Sequence, residues 1–122
     1  MAKTIMIVDD SLSMRSTIGI TLRGAGYEVI EACDGKDALS KLDGRKLHLI
    51  ISDVNMPNMD GISFLKALKQ LAAYRFTPVI MLTTESQDKT IAEGKAAGAR
   101  AWIVKPFRPA ALVDAVAKLV MA

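Results

Sequence analysis

Five short apolar runs recur along the chain, each of strand length, each stopping at a polar residue or a turn, and each followed by a stretch with helical periodicity. Thr4-Ile5-Met6-Ile7-Val8 is the first, and it stops at Asp9 and Asp10. Its apolar residues are consecutive, not alternating, so a strand built from it needs cover on both faces. Residues 27–31, 47–52, 77–82 and 101–104 repeat the pattern. Pro78 sits near the start of its run, where a missing N–H is tolerated.

The stretches between these runs carry helix signals. Ser11 suits an N-cap, with Met14, Ile18, Leu22 and Ala25 following at helical spacing and Gly24 and Gly26 marking the end. Asp34 caps a second helix with Ala38, Leu39 and Leu42 inward, closing at Asp43-Gly44. Asp60-Gly61 opens a third, with Phe64, Leu65, Leu68 and Leu71 along one side. A fourth runs from near Ser86 to about Ala97 and is stopped by Gly98; Arg108-Pro109 opens a fifth with Leu112, Val116, Leu119 and Val120 inward. Five βα units in succession predict an α/β fold, a doubly wound five-stranded parallel sheet with helices on both faces.

Length and composition narrow the class. The 122 residues suit one domain, 1–122, able to bury a core without disulfides or metals. A single cysteine, Cys33, permits no intrachain disulfide. No apolar run approaches the ~20 residues of a membrane helix, and the first residues lack a signal-peptide pattern, so no membrane insertion and a cytoplasmic location are expected. The net charge of +3, with no basic run interleaved with aromatics, argues against nucleic acid as a partner. The sequence leaves no room for an attached output domain, so the chain is expected to act by binding something else.

In open α/β sheets, ligands bind beyond the carboxyl ends of the strands. Periodicity brings Asp9 and Asp10, Asp53, Thr83 with Thr84, and Lys105 to that edge from distant parts of the chain. Taken singly, Asp10 or Ser11 reads equally well as a helix cap. Together, clustered carboxylates repel unless a cation joins them, and an all-oxygen donor set suits Mg²⁺. A divalent ion beside an acid, with Lys and Thr opposite, is how proteins surround a transferring phosphoryl group, and a carboxylate can be the nucleophile.

The runs Ile5–Ser11, Asp53-Val54-Asn55-Met56-Pro57-Asn58-Met59-Asp60-Gly61, Met81-Leu82-Thr83-Thr84 and Val104-Lys105-Pro106-Phe107 resemble, in order and over essentially the whole chain, the receivers of response regulators, and most of all their stand-alone chemotaxis type. The resemblance implies a flavodoxin-like fold with strand order 2-1-3-4-5. It implies that Asp53 accepts the phosphoryl group and that Asp9, Asp10, Asp53 and the Asn55 carbonyl hold Mg²⁺. Lys105 would pair with the phosphoryl oxygens and Thr83 would bond the phosphoryl group. The Lys105–Pro106 bond would be cis, and Trp102 would occupy the position of a switch aromatic. Asn55 and Glu85 would flank the attacking water and set the lifetime at seconds to minutes.

The implied partners are a histidine kinase of the chemotaxis type, a downstream protein such as a flagellar switch or motility protein, and a possible phosphatase, with the chain itself a monomer. A phosphate sink or control of twitching motility would use the same chemistry. His48 stands five residues before Asp53, roughly 16 Å along a strand, so it cannot relay phosphate. Two other classes fit less well. A phosphatase of the haloacid-dehalogenase type carries a second aspartate where Asn55 stands. A flavin carrier needs an anion-cradling loop where Asp9 and Asp10 stand.

Overall fold

The computed structural model describes residues 3–84 and 88–120. Its elements alternate strictly: β1 (Thr4–Val8), α1 (Leu12–Gly24), β2 (Glu28–Ala32), α2 (Gly35–Ser40), β3 (Leu49–Asp53), α3 (Gly61–Lys69), β4 (Val79–Thr83), α4 (Asp88–Ala96), β5 (Ala101–Val104) and α5 (Pro109–Val120). The strands form one sheet in the order β2-β1-β3-β4-β5, with every pairing parallel. The α/β class and the strand order expected from the sequence are both observed.

Consecutive apolar residues are required because each strand feeds two cores. Met6, Val8, Ile50, Val79 and Met81 point to one side and pack with Ala38 of α2 and with Ile62, Phe64, Leu65 and Leu68 of α3. Ile5, Ile7, Leu49, Ile51, Ile80 and Leu82 point to the other and meet Ile18 and Leu22 of α1 and Leu112, Val116 and Val120 of α5. All five residues of β3 and all five of β4 are buried, and these strands with β1 form the sheet's interior. Burial of a Leu- or Ile-sized side chain stabilises by about 1.5–3 kcal/mol, so the two layers hold the sheet rigidly beneath its carboxyl edge.

Side-chain caps begin the first three helices. Ser11, Asp34 and Asp60 accept hydrogen bonds from the N–H groups of Met14, Asp37 and Ser63 respectively. Gly26, at φ +97°, supplies the left-handed residue that turns the chain out of α1.

Several boundaries differ from those read in the sequence. β2 lies one residue later. β3 starts at Leu49 and takes in Asp53, and β4 starts after Pro78, which has no N–H to give, and takes in Thr83. α2 stops at Ser40, and Lys41 beyond it sends its ammonium back to the Glu31 carbonyl (2.6 Å) and Asp37 (3.1 Å). Leu42 still packs on the core from beyond the helix. Leu71 lies past the end of α3 and is 40 % exposed, so it is not an inward residue. The expected start of the fourth helix near Ser86 lies outside the described residues.

Tyr74 fastens the end of the sheet remote from the acids. It is buried, donates its hydroxyl to the Arg45 carbonyl (2.8 Å) and accepts from the Gly44 N–H (3.0 Å). Tyr74→Phe is expected to cost about 1 kcal/mol in urea unfolding, the net worth of such bonds, without altering chemistry at the opposite edge.

Candidate functional site

The β1–α1 turn is built around Asp9. Its N–H continues the sheet ladder to the Ala32 carbonyl (3.1 Å), which holds the residue at the strand end. Its Oδ1 accepts from the Ser11 N–H (2.9 Å), and its own carbonyl accepts from Arg15 Nη1 (2.7 Å). Arg15 is steadied in turn by Glu31 at 3.4 Å. Asp9 is almost wholly buried, whereas Asp10 is exposed.

Asp53 ends β3 beside it. Val8 pairs with Ser52, so the next residues, Asp9 and Asp53, come abreast. Beyond Asp53, the Val54 N–H donates to the Leu82 carbonyl (3.0 Å) and the Gly61 N–H to the Val54 carbonyl (2.8 Å). Gly61 lets α3 start this close: a Cβ there would overlap the Asp53 carbonyl oxygen and lie 2.9 Å from Val54 Cα. The loop between is tied across to α2. Asn58, at φ +67°, donates to the Asp34 carboxylate at 2.8 Å.

Lys105 arrives from β5. Its N–H donates to the Thr83 carbonyl (2.7 Å), and the following bond to Pro106 is cis, as the resemblance implied. Its Nζ stands 3.3 Å from Asp9 Oδ2 and 3.5 Å from Asp53 Oδ2, one ammonium between two carboxylates.

One positive charge does not balance three negative ones. Carboxylate oxygens of Asp9, Asp10 and Asp53 all lie within 4.8 Å of one another. Burial, followed by the charge of Asp9, pushes the Asp53 carboxyl above the usual aspartate range, and Lys105 opposes this only in part. The cluster suits Mg²⁺: an octahedral ion with ligands at 2.0–2.1 Å places its oxygens roughly 3–4 Å apart, so small side-chain movements complete the set, and Asp10 opens the site to the ion's waters.

The remaining expected residues distribute unevenly. Thr83 is fully buried at the end of β4, while Thr84 is exposed. Asn55 is exposed in the β3–α3 loop, and Glu85 lies outside the described residues. Trp102 pairs with Met81, two residues before Thr83 on the same face of the sheet. Its indole lies against α4 at Gly94, where any Cβ would overlap the ring. Its Nε1–H is buried without a hydrogen-bond partner among the described residues. His48 stands at the other end of β3, its Nδ1 accepting from the Thr4 N–H (3.0 Å), and takes no part in the cluster.

Arg15 and Gly61 escaped the sequence reading. Arg15 follows Ser11 by one helical turn, and nothing in that spacing signals a grip on the Asp9 carbonyl. Gly61 reads as half of an Asp-Gly helix start, and its clearance role exists only once β3 and α3 are packed.

Comparison with known proteins agrees with this geometry. The family described as "Response regulator receiver domain" matches residues 5–117. The chain is 39 % identical over 112 residues to "Chemotaxis protein CheY1" of Helicobacter pylori, covering 90 % of each. It is 35 % identical to "Protein PilG" of Pseudomonas aeruginosa, covering 92 % of this chain and 83 % of that one. The solved structure of the Vibrio cholerae chemotaxis protein CheY4 superimposes with a TM-score of 0.93 at 45 % identity, covering 98 % of this chain and 99 % of the other.

The crowded acids generate a stability prediction. A carboxyl whose folded pKa is raised destabilises the fold once ionised. That cost is present above the folded pKa and fades as pH falls toward the unfolded value. Asp53→Asn is therefore expected to raise the melting temperature at neutral pH without Mg²⁺, by roughly 3–6 °C per kcal/mol relieved. The gain should shrink near pH 4 and on adding Mg²⁺.

Proposed function

The chain belongs to the response regulator receiver family, and from this we propose that it takes a phosphoryl group from a partner histidine kinase onto Asp53 and signals by phosphorylation-dependent protein binding. As a CheY-like receiver it is a component of two-component signalling. The observation that carries the phosphotransfer reading is the shared Lys105 ammonium between Asp9 and Asp53, with Asp10 completing the acidic set.

In this reading an Asp53 oxygen attacks phosphorus, and the bond to the donor's imidazole nitrogen breaks with its electron pair passing to the ring. Asp9, Asp10 and Asp53, with the Asn55 carbonyl, would hold Mg²⁺, which would offset phosphoryl charge. Lys105 pairs with a phosphoryl oxygen, and as that charge leaves Asp9 its ammonium needs to travel little. Thr83 bonds another oxygen. Water would later attack phosphorus, breaking its bond to Asp53 and releasing inorganic phosphate; Asn55, exposed beside the site, is no bulky apolar shield, so a lifetime of seconds to minutes is proposed. The names of the similar chemotaxis proteins favour an output in chemotaxis or motility, with a flagellar switch as one target.

The output face is proposed to comprise α4, β5 and α5. Trp102 is proposed to move because its indole N–H has no partner among the described residues, while Gly94 leaves just enough room for the ring. Drawing Thr83 toward the phosphoryl group would open space on the same face of the sheet.

Two experiments test the account. With Mg²⁺ and a small acyl phosphate, intact mass should rise by one phosphoryl group in wild type and not in Asp53→Asn. Equal labelling of the variant would remove Asp53 as acceptor. Beryllium fluoride with Mg²⁺ should shift or quench emission from Trp102, the only tryptophan. Thr83→Ala should suppress the change, and Gly94→Ala should alter emission before any addition. Unchanged emission in fully modified protein would exclude Trp102 from the switch.

A further inference from the structure

A cleft of about 660 Å³ opens at the amino-terminal end of the sheet, the end opposite Asp53. Its cations are Lys3 before β1, Arg45 and Lys46 before β3, and Arg100 before β5, and no carboxylate lines it. We propose that this cleft is a second docking site, receiving an acidic peptide segment of a partner protein with an apolar anchor.

The walls are preformed. Tyr74 pins the loop carrying Arg45, as described above. The Lys69 ammonium donates to the carbonyls of Arg75 (3.0 Å) and Thr77 (2.8 Å), fixing the loop that carries Phe76. Lys3 Nζ donates to the Val120 carbonyl (2.6 Å), closing the cleft against α5. A ligand meeting these walls does not have to order them.

The charges are unevenly spent. Arg45 is paired with Asp43 at 2.8 Å, but Lys46 and Arg100 have no ion-pair partner among the described residues. Arg100 also stands near enough to Lys69 to disfavour its charge, which burial already penalises. An anion relieves that crowding. The apolar part is equally placed. Phe76 on the rim is 85 % exposed, above Leu47, Pro78 and Leu119. An exposed aromatic beside arginine and lysine is the composition of an anchor point at a protein interface.

Charge dispersion selects the occupant. In this topology the helices finish at this end of the sheet and begin at the other, so the positive charge of the cleft comes from side chains. None of its lining belongs to a helix N-terminus, where main-chain N–H groups would cradle a compact phosphate. Cations spread over three segments around an apolar floor instead match carboxylates spaced along a chain.

The test is an amide NMR titration of the full chain with a synthetic dodecapeptide of Glu and Asp carrying a central Phe-Leu pair, at low salt. Shifts are expected at Lys46, His48, Phe76 and Arg100. Lys46→Glu with Arg100→Glu should weaken binding about tenfold or more, and the milder Lys46→Gln with Arg100→Gln should weaken it in the same direction. Phe76→Ser should also weaken it, while Asp53→Asn should leave it unchanged. Shifts confined to other surfaces, or binding indifferent to both charge variants, would overturn the proposal. So would inorganic tripolyphosphate producing the same shifts at lower concentration, which would make the cleft a small-anion site.

Discussion

Two carboxylates that repel each other are held side by side because the sheet gives them nowhere to go. Asp9 continues the β1 ladder to Ala32, and Asp53 is the last residue of a fully buried strand, so parallel register sets their spacing. Separating them would require breaking sheet pairing over two packed cores. The local devices follow from this. Ser11 and Arg15 steady Asp9, Gly61 brings the start of α3 against the Asp53 main chain, and the Lys105 ammonium stands between the two carboxylates. The cluster is left with an excess of negative charge that a divalent cation would offset.

The same rigidity explains how a local charge change can be felt at a surface. Thr83 ends a buried strand next to Asp53's strand, and Trp102 stands on the neighbouring strand on the same face. Packing there is close enough that a single added carbon at residue 94 would overlap the indole, yet the indole N–H has no acceptor among the described residues. In the proposed switch, a second arrangement of this site would have to lie close in energy to the one seen here. The basic cleft lies at the far end of the strands, so a partner seated there would leave the edge that carries Asp53 open.

Strand-length apolar runs announced the two-faced sheet, and the residues at their ends announced the acid cluster, because both depend on short-range pattern and on a general rule about strand ends. The strand order came only through resemblance, since periodicity does not choose neighbours. Boundaries slipped where long-range contacts decide them: pairing of Asp53 with Leu82 extends β3 past Ser52. Arg15, Gly61 and the packing of Trp102 on Gly94 were illegible for the same reason. Each acts across a contact that exists only after the units have docked.

The central claim is that the fold compresses charge at Asp53 and that Mg²⁺ relieves it. Carbon-13 titration of the aspartate side chains, with and without Mg²⁺, measures this directly. The account predicts that Asp53 in metal-free protein titrates above the ordinary aspartate value of about 3.9 and falls below its metal-free value when Mg²⁺ saturates the site. An Asp53 that titrates at or below the ordinary value without metal, and does not respond to Mg²⁺, would contradict it.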